Sequence, residues 1–159
     1  MPLVQLSPQS TQAGVSFQLK KLGFITVKGM LSRLEGTIDF RPADLENSSF
    51  NVSIPTKSIN TENEKRDEHL RGPDFFFVEK YPAISFKSSA VVKENSHYLA
   101  QGELTILATE KQVEIPFQFT GEVLSGQFTL NRIDYQLGKK FPAFFIAKTV
   151  SITFICDLN

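Results

Sequence analysis

The side chains of this 159-residue chain that could do chemistry are two histidines, one cysteine and a charged segment, RDEHLR, at residues 66–71. His69 lies two positions after Asp67, and such a pair could serve general acid–base catalysis. The alternative interpretation, which we favour, is a junction histidine that hydrogen-bonds locally. His97 falls in a predicted hairpin turn and is expected to be exposed. The chain contains no Gly-rich phosphate loop and no nucleophile elbow, so we predict that it is not an enzyme.

A metal site is also disfavoured by the residue types available. The two histidines and Cys156 cannot form the three- or four-ligand cluster of a typical zinc site without several carboxylates. Because Cys156 is the only cysteine, an internal disulfide is excluded and the compartment cannot be inferred from sulfur. We therefore predict no metal and no cofactor.

Arg66 and Arg71 suggest a different chemistry, which is recognition of a ligand head group. Asp67 and Arg71 are spaced i, i+4, and such a pair is usually a solvated ion pair on a helix surface, worth ~0.3 to 0.5 kcal/mol. The alternative places Arg66 or Arg71 at the mouth of a β-barrel, where a guanidinium would meet a polar head. Both interpretations stay open at this point.

The element that must position these side chains is a predicted helical insertion at about residues 60–78. Asn60 has the side-chain type of an N-cap, and the glutamates that follow suit the positive end of a helix dipole. Gly72 and Pro73 end the helix, and an aromatic turn begins at Phe75. The segment therefore predicts a polar helix, followed by a turn rich in aromatic residues, that flanks one end of a β-structure.

Almost everything on either side of the insertion alternates apolar and polar residues with the period of two that is typical of β-strands. The alternation predicts about eight strands that are mostly joined by short turns. The alternation shifts by one residue at Ser32–Arg33, and this shift predicts either a hairpin or one long bent strand. We expect a mainly β fold, an antiparallel barrel or sandwich, in a single domain over 1–159 with a loosely ordered leader at 1–13.

Charge and composition exclude several partners. The chain has 17 basic and 17 acidic side chains, so its balance predicts neither nucleic-acid binding nor attachment to an anionic membrane. No apolar run approaches the ~20 residues of a membrane helix, so an integral membrane protein is not expected. Met1–Val4 does not have the pattern of a secretory signal.

The interior is predicted to be rich in phenylalanine. There are 15 Phe against 3 Tyr and no Trp, which favours an apolar interior over a wet recognition face. Gly29, Gly36 and Gly102 lie on the apolar faces of their strands, where they either leave space inside or relieve bending at barrel corners. Because an eight-stranded barrel is close to the size at which one small ligand fits, we favour an apolar cavity over a solid core.

Five motifs carry a resemblance to a known family. They are LGFITVKG from Leu22, GTIDF from Gly36, SINT from Ser58, RDEHLR from Arg66 and DFFFVEKYP from Asp74. In this order they resemble the YceI family of bacterial lipocalin-like proteins, over most of the chain. The resemblance implies an antiparallel lipocalin-like barrel that holds a long-chain amphiphile such as an isoprenoid quinone, a polyprenyl phosphate, or a fatty acid or amide. It also implies no catalysis, export to the periplasm or beyond, and often a homodimer; a cytoplasmic location is left open because no signal peptide is visible.

The predicted function is therefore binding, transport or sequestration of such a lipid by burial of its tail. The predicted cavity wall consists of Phe17, Leu31, Leu34, Gly36, Ile38, Phe86, Leu104, Phe117, Phe119 and Phe128, with Phe75 and Phe76 closing the helical side. The predicted head-group residues are Arg66, Arg71 and Tyr135. Two alternatives remain: an interaction protein with a filled Phe-rich core that acts through its surface, and a lipid-modifying enzyme that uses His69 with Asp67.

Overall fold

The computed structural model describes residues 3–6, by their backbone, and residues 13–158. Within these residues the fold is mainly β, with one curled antiparallel sheet and one α-helix. The strands are β1 Leu3–Leu6, β2 Ala13–Lys21, β3 Ile25–Leu31, β4 Glu35–Asp39, β5 Ser49–Pro55, β6 Ala83–Glu94, β7 His97–Ile106, β8 Thr109–Thr120, β9 Val123–Asn131 and β10 Thr149–Asp157. The helix, α1, spans Glu64–Arg71, and short 3-10 helices span Leu45–Asn47, Thr56–Ser58 and Arg132–Tyr135.

The order of the strands in the sheet is β1-β4-β5-β6-β7-β8-β9-β10-β2-β3. β3 and β4 are not paired, so the predicted hairpin is wrong, and residues 32–34 interrupt the strand that the other interpretation required. β3 pairs with β2, whereas β4 pairs with β1 and β5. Arg33, at the predicted slip, has φ 67 in the connection between them. The break in alternation therefore marks a move from one part of the sheet to another.

Within the predicted insertion, 60–78, the helix begins at Glu64, and its N-cap lies three residues later than predicted. Asn63, and not Asn60, is the N-cap, because its side chain accepts a hydrogen bond from the Arg66 backbone N–H at 3.0 Å. Asn60 instead pairs with Met30 of β3 through two backbone hydrogen bonds of 2.9 Å. The chain before α1 is thus held to β3, and Gly72 ends the helix as predicted.

One end of the curled sheet is filled by five rings, the ring cluster: Phe40, Phe50, Tyr98, Phe117 and Phe119. Phe40 is fully buried at its centre, with its ring centroid 5.0 to 5.2 Å from three edge-on neighbours. β5 begins beside this cluster and ends at Pro55, before α1. The ring cluster and the helix therefore lie at opposite ends of the sheet.

The inward glycines permit close packing of backbone and rings. A Cβ at Gly102 would collide with the Lys87 carbonyl oxygen, opposite an irregularity in the β6–β7 register between Ser88 and Ala90. A Cβ at Gly36 would collide with the Asn51 carbonyl oxygen. For Gly36 and Gly102, close approach of the neighbouring strand's backbone, and not space left inside, is what the structure supports.

The predicted leader, residues 1–13, lies mostly outside the described residues. Of it, Leu3–Leu6 forms β1, which pairs with β4 from Leu3–Asp39 to Leu6–Gly36. This part of the leader therefore belongs to the sheet.

Candidate functional site

A cavity of about 380 Å³ lies within the curled sheet, between the ring cluster and α1. Its walls are almost entirely apolar side chains, contributed by strands β2 to β10. Phe50 and Phe117 belong both to the ring cluster and to the cavity lining, so the ring cluster forms the floor. The interior is thus filled at one end and hollow at the other.

Most of the predicted site residues come together around this cavity. Those that line it are Phe17, Leu31, Leu34, Ile38, Arg66, Phe75, Phe76, Phe86, Leu104, Phe117 and Phe128. They come from seven strands, from the β3–β4 connection, and from α1 with the turn that follows it. Their role in binding a ligand stays a prediction.

Four of the predicted site residues lie elsewhere. Gly36 packs against the β5 backbone, and Phe119 packs edge-on against Phe40 at 5.0 Å. Arg71 donates to the carbonyl oxygens of Lys57 and Ile59 at 3.1 and 3.0 Å.

Tyr135, the fourth, is 3% exposed and lies in a 3-10 helix, where the period-two pattern of the preceding strand no longer applies. Burial raises the pKa of its phenol. The four residues therefore serve packing and attachment of the helix in this structure, and they do not line the cavity.

The charged side chains of RDEHLR mostly attach α1 to the chain that precedes it. Asp67 is 3% exposed and accepts hydrogen bonds from the Thr61 backbone N–H and hydroxyl. Arg66 donates from Nε to the Thr61 hydroxyl at 2.8 Å and from Nη2 to the Thr61 carbonyl at 2.9 Å. Because Asp67 is buried against Thr61, the predicted solvated pair of Asp67 with Arg71 is wrong.

His69 does not pair with Asp67. Its Nε2 lies 3.0 Å from the Asp74 carboxylate, whose other oxygen is 3.1 Å from Lys140 Nζ. The hydrogen bond from His69 and, with a smaller effect, the hydrogen bond from Lys140 lower the pKa of the Asp74 carboxyl. The acid–base pair that the sequence suggested is therefore not assembled.

The cavity is covered by residues 137–147, which we call the cover segment. Leu137, Phe141, Phe145 and Ile146 of this segment line the cavity. The Phe141 ring lies edge-on to His69 at 5.8 Å, which ties the segment to α1. The sequence analysis did not predict that this segment lines the cavity. The feature that could have indicated it is the cluster FPAFF, which places aromatic residues in a stretch without strand alternation.

Arg132 holds the cover segment in place. Its guanidinium is buried, and its hydrogen bonds go to five backbone carbonyls, those of Leu137, Gly138, Phe141, Ile146 and Ala147. These bonds use all five N–H groups of the side chain. Burial lowers the pKa of this guanidinium. Nothing in the spacing of the sequence distinguishes Arg132 from a surface arginine.

The charged side chains of the cavity wall are basic. Lys21, Arg66 and Arg132 line it, together with the imidazole of His69 and the hydroxyls of Ser53 and Ser85, and within residues 13–158 no aspartate or glutamate does. The three basic residues and His69 belong to the helix, the end of β2 or the 3-10 helix before the cover segment. In the same residues, no three His, Cys, Asp or Glu side chains are grouped so that they could hold a metal ion. The site therefore combines an apolar chamber with a positively charged end.

Comparison with known proteins identifies the family. The YceI-like domain matches residues 5–158. The chain belongs to the YceI-like family. A UPF0312 protein of Vibrio cholerae serotype O1 is 31% identical over 117 residues, which are 73% of this chain and 62% of that protein. A UPF0312 protein of Yersinia pestis is 30% identical over 118 residues, with 74% and 62% of the two chains covered. This YceI-like chain thus spans about 62% of the length of these relatives.

Solved structures share the fold. BcnA of Burkholderia cenocepacia superposes with a TM-score of 0.83 at 23% identity, over 90% of this chain and 94% of its own. The Campylobacter jejuni YceI protein gives 0.76 at 28% identity, over 84% and 85%. A polyisoprenoid-binding domain from Saccharophagus degradans, implicated in plant cell wall breakdown, gives 0.72 at 14% identity over 98% of both chains. The lipocalin-like fold implied by the resemblance is confirmed.

Across the described residues, no helix has the length and apolar character needed to cross a membrane.

Proposed function

We propose that this YceI-like chain binds a long-chain amphiphile, with the apolar tail in the cavity and the head beside α1 and the cover segment. The observation that carries the proposal is an apolar chamber of about 380 Å³ whose charged lining residues, Lys21, Arg66 and Arg132, are all basic. The similarity in fold to a polyisoprenoid-binding domain supports it. Candidate ligands are isoprenoid quinones, polyprenyl phosphates, and fatty acids or amides.

Burial of the tail supplies the affinity. Each methylene removed from water contributes ~0.8 kcal/mol, so a tail of about ten buried carbons contributes on the order of 8 kcal/mol before the costs of ordering are subtracted. The cavity has almost no polar group that a tail would leave unpaired. Binding therefore needs no covalent step.

The charges at the site favour an anionic head. Lys21 and Arg66 line the cavity, whereas Asp67, which shares Thr61 with Arg66, does not, so a carboxylate or phosphate head would face two basic side chains. Arg66 commits Nε and Nη2 to Thr61, which holds the guanidinium in one orientation. Among the candidates, polyprenyl phosphates and fatty acids are thus preferred over quinones and amides.

The biological role that we propose is non-enzymatic transport or sequestration. His69 and Asp67 have separate partners, Asp74 and Thr61, which favours a binding role over a lipid-modifying one. We place this role in the periplasm or outside the cell, as the family resemblance implies. Fractionation of the source cell with an antibody to the full protein tests the compartment.

Mass spectrometry of the purified protein, first native and then after organic extraction, tests the proposal. We expect a stoichiometric long-chain amphiphile. Leu130 points into the cavity from β9, whereas its neighbour Thr129 is exposed, so the two make a matched pair. Leu130→Trp should abolish lipid retention, and Thr129→Trp should retain it, with circular dichroism showing that both fold.

An apo mass for the wild type would contradict the proposal if it persisted after incubation with quinones, polyprenyl phosphates, fatty acids and fatty amides. Such a result would favour the second candidate, an interaction protein with a filled core. The observation in favour of that candidate is the ring cluster, which already fills one end of the sheet.

A further inference from the structure

Five large apolar side chains are exposed together at one end of the molecule. Three lie at the tip of the β2–β3 hairpin and two lie in the cover segment. We call them the tip patch: Leu22 (45% exposed), Phe24 (76%), Ile25 (41%), Phe144 (78%) and Phe145 (39%). Such a concentration is unusual, because monomeric soluble proteins seldom leave contiguous apolar surface without a partner.

The two parts of the tip patch are joined by the backbone. The Leu22 N–H donates to the Phe145 carbonyl at 2.9 Å, and the Ala147 N–H donates to the Lys20 carbonyl at 2.9 Å. Lys21 and Ile146 form a bridge between these bonds. The hairpin tip and the cover segment therefore present one continuous surface.

The two chain segments that contain the tip patch carry charges of one sign. Residues 13–34 and 135–156, which contain the patch, carry seven basic side chains and no acidic one. The rest of the chain carries ten basic side chains and all seventeen acidic ones. The overall neutrality, from which the sequence predicted no attachment to an anionic membrane, thus conceals a strong segregation of charge.

The acidic groups nearest the cover segment are few. Asp74 approaches it through its ion pair with Lys140 at 3.1 Å, and Asp134 precedes it in the 3-10 helix. Lys20, Lys21 and Lys148 flank the backbone bonds that join the two parts of the patch. The surface is therefore apolar at its centre and positive at its margin.

We propose that the tip patch docks this protein on an anionic phospholipid bilayer, with Phe24 and Phe144 inserted among the acyl chains near the head groups. Exposed aromatic and aliphatic side chains bury apolar area in the interface, and lysines at the margin are attracted to anionic lipids. The inference goes beyond the proposed function, since it concerns a second surface and holds whether or not a lipid occupies the cavity.

A bilayer fits this surface better than a second copy of the chain does. The two most exposed rings project from a hairpin tip and from a loop, which suits insertion into a deformable interface. A two-fold dimer through the same patch would bring the lysines of one copy against those of the other, and like charges at an interface are costly. An acidic protein partner is an outcome that the experiment distinguishes.

The tip patch also adjoins the cavity. Phe145 and Lys21 line the cavity, while Phe145 remains 39% exposed. Docking would therefore place a wall of the chamber against the membrane, so that a lipid could pass between them without crossing water. This last step, unlike the docking itself, rests on the proposed function.

Vesicle flotation of the full protein tests the docking. The probes are vesicles of phosphatidylcholine alone and of phosphatidylcholine with phosphatidylglycerol. We expect binding to the anionic vesicles that is at least about tenfold stronger than to the neutral ones and that weakens with salt. Phe24→Ser with Phe144→Ser should reduce it by at least about tenfold. Met30→Ser is the matched control, since Met30 is 56% exposed on the same hairpin but outside the patch.

Three outcomes would overturn the proposal: no binding to anionic vesicles, equal binding to both kinds, or a double variant that binds like the wild type. Light scattering after size exclusion measures the oligomeric state and so tests whether a second copy of the chain occupies the patch. A dimer that dissociates in the double variant would assign the patch to a second copy. Binding to an acidic protein but to no vesicle would assign it to such a partner. Leu130→Trp, which tests the cavity, should leave flotation unchanged, so the two proposals fail separately.

Discussion

The ring of Phe141 lies parallel to that of Phe75, with centroids 5.1 Å apart and an interplanar angle of 9°. The first ring belongs to the cover segment and the second to the turn after α1, and both line the cavity. The stack therefore joins two segments that are far apart in the chain, and together they cover the cavity. The His69 ring packs edge-on against both members, at 5.8 and 5.2 Å.

Removal of one ring of this stack should weaken the attachment of the cover segment to the turn after α1. Phe141→Ala is expected to cost about 3 kcal/mol or somewhat more in the free energy of unfolding, through lost burial and lost ring contacts. It should also speed exchange of a bound lipid. Urea denaturation measures the first effect and release of a fluorescent fatty acid the second. Phe144→Ala is the control, because Phe144 is 78% exposed in the same segment and should change stability little; equal losses in both variants would contradict the stack.

The buried guanidinium of Arg132 should be irreplaceable by lysine. Arg132→Lys keeps a charge but supplies three donors in place of five, so at least two backbone carbonyls lose their partner. We expect a loss of about 2 to 5 kcal/mol in the free energy of unfolding. Hydrogen exchange should accelerate within residues 137–147 before other parts of the protein. Lys148→Gln, at an exposed neighbouring position, should have neither effect. Exchange that accelerates uniformly across the protein in Arg132→Lys would contradict the role of Arg132 in holding the cover segment.

The sequence predicted the strands better than the order in which they pair. Period-two alternation places Phe117 and Phe119 on the same inward face, and both do point inward. Alternation carries no information on depth, however, and Phe119 lies below the cavity floor, against Phe40. The connection at Arg33 was misassigned for a related reason, because a break in alternation shows that a strand ends but not where the next one pairs.

The cover of the cavity could not be predicted from local patterns. Residues 137–147 have no regular period, and their position depends on hydrogen bonds to Arg132 and on the stack with Phe75. The charges of RDEHLR were visible, but the partners of Arg66, Asp67 and Arg71 lie in residues 57–61, which only the folded chain brings close. Motifs therefore located the helical end of the site, and tertiary contacts decided which residues face the cavity.

Gly102 should tolerate no side chain. Its Cβ position is occupied by the Lys87 carbonyl across the strand pair, and the neighbouring register irregularity leaves the backbone little freedom to move. Gly102→Ala is expected to lower the free energy of unfolding by about 1 to 3 kcal/mol. Thermal and urea unfolding measure this change. Gly14→Ala is the control, since no atom lies within 4 Å of its Cβ position; a stable Gly102→Ala variant would show that the two strands can separate at low cost.

Cys156 should make stability fall at alkaline pH. Burial raises the pKa of its thiol to about 11 from 9.0. Between these values the unfolded thiol loses its proton while the folded thiol keeps it, so the unfolded state binds fewer protons and the free energy of unfolding decreases as pH rises. Urea titrations from neutral pH to pH ~11 should show this decline, and the difference between wild type and Cys156→Ala should narrow over the same window. The native thiol should also resist a thiol reagent at mildly alkaline pH and react once urea unfolds the chain. Rapid reaction in the native state would show that Cys156 is open to solvent and would remove the basis for the predicted slope.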